Sequence, residues 1–172
     1  MDASSRRNAL LEILAGSKEP VTGSSLASRL GVTRQVIVQD IAVLRAQGKE
    51  ILATPRGYTI LSSDRTPGIT KLVAVRHSRS ETREELYSMV DLGLEVVDVI
   101  VDHPVYGQLT GQLSLSTRKD VDDFIKTIEE TRAGLLSSLT GGVHLHTVKG
   151  RDKSQFDKLE ETLREKGFLL TE

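Results

Sequence analysis

Residues 33–41 read TRQVIVQDI, and this stretch decides the fold of the first part of the chain. Thr33 is a favourable helix N-cap and Gly48 a favourable stop, so we predict a helix that runs from Thr33 to about Gln47. Its apolar residues recur at positions i, i+4 and i+7, on one helical face: Ile37, Ile41 and Leu44. The helix is therefore expected to bury that face and to expose the opposite one.

Two shorter helices precede this one. Leucines at helical spacing predict the first helix over Arg6–Ala15 and the second over Thr22–Leu30. Gly31 makes a tight turn between the second and third helices, which is the pattern of a helix-turn-helix. Residues 51–54 and 58–61 are short apolar strands joined by a Pro-Arg-Gly turn, and a hairpin in this place predicts a wing.

The exposed face of the third helix suits the reading of DNA. Glutamine can bond adenine bidentately, arginine can bond guanine or phosphate, and small residues let a helix sit deep in the major groove. The same pattern also fits an ordinary solvated face, but the tight turn and the wing favour DNA. Residues 1–62 carry eight Lys and Arg against five Asp and Glu, a net charge of +3 that leaves −4 for the remainder. The predicted DNA-contacting residues are Thr33, Arg34, Gln35, Val38, Gln39, Arg45 and Arg56.

The composition of the 172 residues excludes several classes of protein. There is no cysteine, so disulfides and thiolate ligands are excluded, and a metal ion could be held only by histidine and carboxylate. No run of about 18 apolar residues exists, and the N-terminus lacks the apolar segment of a signal peptide. We therefore expect a cytoplasmic protein with no membrane partner.

A polar, turn-rich stretch at 63–68 is predicted to link a winged helix-turn-helix domain at 1–62 to a second domain at 69–172. The apolar patterns of the second domain predict the order β-α-β-β-α-β-α-β. This order indicates an α+β fold, a ferredoxin-like split βαβ arrangement with an added end. Strands are expected at 70–76, 96–102, 109–115, 143–148 and, as an edge strand, 168–170; helices are expected at 82–91, 118–132 and 154–166.

Four histidines occur, and all lie in this second domain. His144 and His146 flank Leu145 on a predicted strand, so both rings leave one face, with Cα atoms about 6.6 Å apart. With metal–nitrogen bonds of about 2.0–2.1 Å, one ion can lie between them. His77 and Glu85, at the end of the first strand and the start of the next helix, could complete a site with open positions for an effector.

Each of these residues also has an ordinary structural explanation. A His-X-His pair occurs on strands that bind no metal, and Glu85 could be the capping-box partner of Thr82. Glu84 is a rival ligand to Glu85, and His103 could serve only as a turn residue in the segment HPVYG. Spacing alone leaves these alternatives open.

The sequence also carries a resemblance that extends over nearly the whole chain. TRQVIVQDI, followed by Leu44-Arg45 and then Gly57-Tyr58, resembles the winged helix of the biotin repressor and its relatives. It is more similar still to the nicotinate-responsive transcriptional repressors, which pair this head with a 3H domain. In the second domain the resemblance is carried by four segments: His77 to Leu86, His103 to Gly107, Thr117 to Lys119, and Leu139 to His146.

The resemblance implies a repressor of genes for NAD-precursor synthesis or niacin uptake, with nicotinic acid as co-repressor. It also implies one divalent transition metal ion per chain, Zn, Ni or similar, with the ligands His77, Glu85, His144 and His146. Nicotinic acid offers a pyridine nitrogen and a carboxylate, either of which could bind the ion. An arginine near a helix N-terminus suits the carboxylate and a tyrosine could stack on the ring, although both could equally be structural. The candidate effector contacts are His103, Tyr106 and Arg118.

A repressor of this kind is expected to be a homodimer that reads a palindrome, because two recognition helices must lie about 34 Å apart on DNA. We expect no enzyme, since the sequence supplies no convincing nucleophile or phosphate loop. The alternatives are a regulator that senses the metal ion itself and, less favoured, a metal-dependent hydrolase fused to a DNA-binding head.

Overall fold

The computed structural model describes residues 2–60 and 68–170. The chain divides into two units, Met1–Arg65 and Thr66–Glu172. Of the predicted linker only Gly68 lies among the described residues, and Leu61 of the second predicted wing strand lies outside them. Within the two described ranges, no helix combines the length and the apolar character that a membrane span requires.

The first unit consists of three helices and a hairpin. Its elements are α1 (Ala3–Ala15), α2 (Gly23–Leu30), α3 (Arg34–Ala46), β1 (Ile51–Thr54) and β2 (Gly57–Ile60). Each helix is capped by a side-chain oxygen that accepts a backbone N–H three residues on, from the N-caps Asp2, Thr22 and Thr33. Because Asp2 caps α1, that helix begins three residues earlier than its leucines predict. The predicted apolar stripe of α3 is buried with leucines of α1 and α2: Leu10, Leu14, Leu26, Ile37, Ile41 and Leu44.

The hairpin is tied to the segment before α2. The backbone N–H groups of Val21 and Tyr58 each donate to the other residue's carbonyl at 2.8 Å. This approach requires glycine at position 57, where φ is +131° and a β-carbon would lie 2.4 Å from the carbonyl oxygen of Val21. The wing is therefore fixed against the helices, in the arrangement of a winged helix-turn-helix.

The second unit is a four-stranded sheet with three helices. Its elements are β3 (Ile69–Arg76), α4 (Thr82–Val90), β4 (Glu95–His103), β5 (Gly107–Leu115), α5 (Arg118–Thr131), β6 (Val143–Gly150) and α6 (Lys153–Glu165). The strand order is β3-β6-β4-β5, and every neighbouring pair is antiparallel. The strands joined by α4, β3 and β4, are therefore parallel with β6 between them, which confirms the predicted split βαβ arrangement.

One face of this sheet buries the core of the second unit. Valines and leucines of all four strands pack there with apolar residues from each of the three helices. His144 and His146 lie on this buried face of β6, where Val148 continues the alternation. The helix-covered face therefore carries both the core and the predicted ligand pair.

The structure adds two short 3-10 turns that the sequence patterns do not predict, Arg79–Glu81 and Leu136–Thr140. The predicted edge strand at 168–170 forms only a single bridge, between Leu169 and Val75. The segment follows a turn at Gly167, where φ is +73°, and it is described as far as Leu170. It covers part of the outer edge of β3 and does not extend the sheet as a full strand.

Candidate functional site

Three segments of the second unit bring four predicted ligands together. His77 follows β3, Glu85 lies in the first turn of α4, and β6 supplies the other two histidines. The antiparallel register places His144 opposite Val75 and therefore close to the end of β3. All four residues are buried, and the Glu85 side chain is 0% exposed.

The Glu85 carboxylate lies at the centre of the cluster. Its Oε2 is 3.0 Å from Nε2 of His77, and its Oε1 is 3.0 Å from Nε2 of His146 and 3.6 Å from Nε2 of His144. The ring of His144 stands nearly perpendicular to the other two rings, with centroids 4.9 and 4.8 Å away. One potential ligand atom from each of His77, Glu85 and His144 lies within 4.8 Å of the others.

A hydrogen bond at Nδ1, on the side of each ring away from Glu85, fixes the tautomer of the three histidines. Nδ1 of the three histidines lies 2.7–2.8 Å from a backbone carbonyl oxygen: that of Ser78 for His77, of Gly142 for His144, and of Asp98 for His146. A carbonyl oxygen only accepts, so each Nδ1 must carry the proton and donate it. In the neutral ring Nε2 is then unprotonated and carries a lone pair, and the lone pairs of all three rings face the same carboxylate.

This arrangement has too many acceptors and no permanent donor. Nε2 of His77, Nε2 of His146 and both oxygens of Glu85 are buried without a hydrogen-bond partner of acceptable geometry. Lone pairs and a carboxylate at 3.0 Å repel one another, so the cluster requires positive charge, supplied by protons or by a cation. Orphaned buried atoms of this kind call for an explanation such as a bound ion.

The pKa shifts of Glu85, His146 and His77 also favour positive charge on the imidazoles beside an ionised carboxylate. Burial raises the pKa of Glu85, but the surrounding imidazoles outweigh burial and hold it well below its ordinary value. Burial lowers the pKa of His146, and the Glu85 carboxylate reverses this and raises the pKa above its ordinary value. The pKa of His77 is raised in the same way, against its own burial. The carboxylate is therefore held ionised among imidazoles, whose nitrogens are able to bind a cation.

The donor set fits a transition metal. Ligand atoms that surround one ion at about 2.0–2.1 Å lie roughly 2.9–3.4 Å apart in tetrahedral or octahedral geometry. The contacts of Glu85 with the imidazoles, at 3.0–3.6 Å, are close to that spacing. Imidazole and carboxylate are ligands typical of Zn, Ni and Fe, whereas Mg and Ca prefer oxygen.

The structure distinguishes the two rival glutamates. Glu84 lies on the outer side of α4, and its Oε1 accepts from Nζ of Lys166 at 2.5 Å. The capping-box interpretation of Glu85 is wrong, because the capping box lies one turn earlier, between Ser78 and Glu81. The 3-10 turn at Arg79–Glu81 occupies the helix start and leaves Glu85 free to face inwards.

Sequence reasoning missed the part that Gly142 plays in the cluster. Its carbonyl orients His144, and a β-carbon on it would lie 2.3 Å from the carbonyl oxygen of His77. Its φ of +90° is also a conformation that favours glycine. The consecutive glycines two residues before His144 are the signal that could have indicated this close approach.

The hydrogen bonds and ring contacts described here for the candidate effector residues are made with residues outside the four-residue cluster. Nδ1 of His103 accepts from the backbone N–H groups of Val105 and Tyr106 at 3.1 and 3.2 Å, so the ring closes its own hairpin turn. Tyr106 is 75% exposed at that turn and packs on the ring of His103. Arg118 makes two hydrogen bonds to Asp91, at 2.6 and 2.7 Å.

The predicted DNA-reading residues of α3 share one exposed face. Arg34, Gln35, Val38 and Gln39 are exposed on α3, and Thr33 caps the helix and is exposed as well. Arg45 is exposed but donates to the carbonyl of Ile51 at 2.8 Å. Arg56 lies in the turn of the wing and pairs with Glu19 at 3.2 Å. The face therefore exposes polar side chains at its N-terminal end, while Arg45 contacts the backbone of β1 and Arg56 pairs the wing with Glu19.

A second residue that sequence reasoning missed is Asp40 on α3. It is buried, and its carboxylate accepts from Arg6 at 2.6 and 3.2 Å and from Arg7 at 3.4 Å. This contact ties the recognition helix to α1. A carboxylate on the otherwise apolar side of the helix was the available signal.

Comparison with known proteins assigns both units. A helix-turn-helix domain matches residues 6–59, and the 3H domain matches residues 70–172. The chain is 46% identical over 167 residues to the probable transcription repressor NiaR of Thermotoga maritima, which covers 97% of this chain and 94% of that protein. It is 44% identical over 167 residues to the transcription repressor NadR of Bacillus subtilis, with 96% and 93% covered.

These relatives are named as repressors, which confirms the prediction that the chain is not an enzyme. The resemblance inferred from the recognition helix and the histidine segments is also confirmed. With a helix-turn-helix domain, a 3H domain and such identity along nearly its whole length, the chain belongs to the NiaR/NadR family of transcription repressors.

Proposed function

We propose that this repressor binds nicotinic acid as a co-repressor beside a divalent transition metal ion in its 3H domain. The ion would be held by His77, Glu85, His144 and His146, and the regulated genes would serve NAD-precursor synthesis or niacin uptake. The observation that carries the proposal is the convergence of three Nε2 lone pairs on one buried carboxylate. Three neutral imidazoles and one carboxylate bind Zn, Ni or a similar ion well.

The role of nicotinic acid rests on the family resemblance together with the chemistry of the donor set. Four protein ligands leave positions open on a five- or six-coordinate ion. A pyridine nitrogen or a carboxylate can fill such a position, and nicotinic acid has both. His103, Tyr106 and Arg118 remain predicted effector contacts, and of these Arg118 would first have to leave Asp91.

The DNA-binding part of the proposal rests on the exposed end of α3. Arg34 and Gln35 lie in its first turn, where such helices meet base edges, and both are exposed. Thr33, Val38 and Gln39 would support that contact from the same helix, and Arg45 and Arg56 from beside the wing. A homodimer in the cytoplasm would present two such helices to a palindromic operator.

A gel-shift experiment tests this function directly. The full-length protein is titrated onto operator DNA at each of several fixed zinc concentrations, with and without nicotinic acid, and nicotinamide serves as the control ligand. We expect nicotinic acid to tighten binding, and nicotinamide to have a smaller effect because it lacks the carboxylate. If the affinity for operator DNA changes with the zinc concentration and does not change with nicotinic acid, the protein would instead be a sensor of the metal ion.

A further inference from the structure

The register of β4 against β6 changes beside the histidine cluster. Val96 pairs with Val148 and Ile100 pairs with Leu145, so four steps along β4 face three steps along β6. The extra residue is a β-bulge within positions 97–99, and a bulge releases main-chain groups from the regular ladder. Asp98 lies in this bulge and is 8% exposed.

Asp98 makes contacts with two consecutive residues of β6. Its carbonyl oxygen accepts from Nδ1 of His146 at 2.7 Å, and its Oδ1 accepts from the backbone N–H of Thr147 at 2.9 Å. The carboxylate therefore holds β6 where the ladder is interrupted. Because it does so, the carbonyl of the same residue remains directed at the imidazole.

The charge of Asp98 also bears on the cluster. A divalent cation bound by Glu85 and three neutral imidazoles leaves a net charge of +1 in a buried site, which is costly unless it is compensated. Among the described residues of the second unit, the buried acids are Glu85, Asp98 and Asp120. Asp120 caps α5 by accepting from the N–H groups of Ser116 and Thr117. Asp98 contacts a ligand histidine through its main-chain carbonyl, and its carboxylate is bonded to Thr147, the next residue along β6.

We propose that Asp98 is a positioning and charge-compensating residue for a divalent cation at the histidine cluster. The inference rests on the metal site of the proposed function. The main chain of Asp98 orients His146, and its carboxylate supplies the second negative charge that makes the occupied site neutral.

Zinc affinity measured by chelator competition on the full-length protein tests this role. Asp98→Asn keeps the size of the side chain and an acceptor oxygen for Thr147, and it removes the charge. We expect zinc affinity to fall by about 10- to 100-fold, the range typical of residues that support metal ligands. Asp98→Glu, which keeps the charge, should recover part of the loss. Circular dichroism of the metal-free protein checks folding, and Asp98→Ser is a second neutral variant if the amide is not tolerated.

The matched control is Asp120→Asn, which neutralises an acid of the same domain that is also 8% exposed. It should lower the thermal stability of the metal-free protein through the weakened cap and leave zinc affinity unchanged. Equal zinc affinity for wild type and Asp98→Asn overturns the inference and leaves the metal site standing. Equal losses in the two Asn variants overturn it as well, since the effect would then be general. A wild-type protein that binds no zinc removes the metal site and this inference together.

Discussion

The carbonyl oxygen of His77 lies 2.3 Å from the position that a β-carbon on Gly142 would occupy. The segment before β6 can approach the end of β3 this closely only because residue 142 has no side chain. Since the carbonyl of Gly142 also orients His144, this one approach sets the spacing between two of the cluster imidazoles.

Gly142→Ala is therefore expected to disturb the cluster as well as the fold. The β-carbon must push the His77 backbone away, and the positive φ adds about 1–2 kcal/mol of strain. We expect the free energy of unfolding, measured with urea, to fall by more than that strain, and zinc affinity to fall with it. Gly141→Ala is the control, because φ is +62° there and no atom lies within 4 Å of the added carbon. If both variants keep the zinc affinity of wild type, the contact with His77 does not set the spacing.

The metal content of the purified protein is expected to depend on Glu85 and not on its neighbour. Wild type should hold about one divalent ion per chain, and Glu85→Gln should hold much less because the anionic ligand is lost from a buried site. His144→Ala combined with His146→Ala should remove the ion. Glu84→Gln, which alters an exposed side chain paired with Lys166, should keep it. Elemental analysis after dialysis measures all four proteins, and unchanged metal in the double variant would rule out the site.

The first turn of α3 is expected to determine operator selectivity. Arg34→Ala and Gln35→Ala each remove one group able to bond a base, so each should cost about 1–3 kcal/mol of discrimination at one position. Both residues are exposed, and the melting temperature should therefore stay close to that of wild type. Binding to a set of singly substituted operators measures the effect. Normal footprints and normal discrimination for both variants would contradict the assignment of this face.

Asp40→Asn should have the opposite effect, which is a loss of stability without a loss of operator selectivity. The change weakens the contact of the buried carboxylate with Arg6 and Arg7, so we expect a lower melting temperature. Base discrimination should be retained at a temperature where the variant is folded, because Asp40 faces α1 and not the exposed face. A loss of discrimination in the folded variant would show that the arginines act on DNA through the recognition helix.

Binding of nicotinic acid and of operator should be reciprocal. A ligand shifts an equilibrium only through its different affinity for the two states, and the coupling must be equal in both directions. Operator DNA should therefore tighten nicotinic acid binding by the factor by which nicotinic acid tightens operator binding. Calorimetric titration of nicotinic acid into zinc-loaded protein, with and without operator, measures this factor. Equal affinities in the two titrations exclude a co-repressor mechanism even if nicotinic acid binds.

The parts of this fold that sequence predicts well are those governed by local pattern. The apolar stripe of α3 and its cap at Thr33 depend on residues within one helix, and both are found as predicted. The alternation along β6 also determines that His144 and His146 share a face. The spacing of apolar residues and the capping of a helix each involve only a few neighbouring residues, so they can be identified without knowledge of the tertiary structure.

The parts that sequence does not predict depend on contacts between distant segments. Helix α4 begins at Thr82 as predicted, but the 3-10 turn before it takes the capping box to Ser78 and Glu81, and the pattern of apolar residues does not reveal that turn or distinguish Glu84 from Glu85. Asp98 meets His146 only because β4 bulges against β6, 48 positions along the chain. Spacing along a sequence carries no information about such register changes.

The three imidazoles are oriented by main-chain carbonyls of Ser78, Asp98 and Gly142, which lie on three different segments. No side-chain substitution can delete a carbonyl, so the orientation of the rings is carried by the path of the backbone. An ion bound by the three rings and by the Glu85 carboxylate would join the end of β3, the start of α4 and strand β6. Loading and stripping of the ion should thus change amide hydrogen exchange along all three segments together, which links metal occupancy to the mechanical stiffness of the sensor domain.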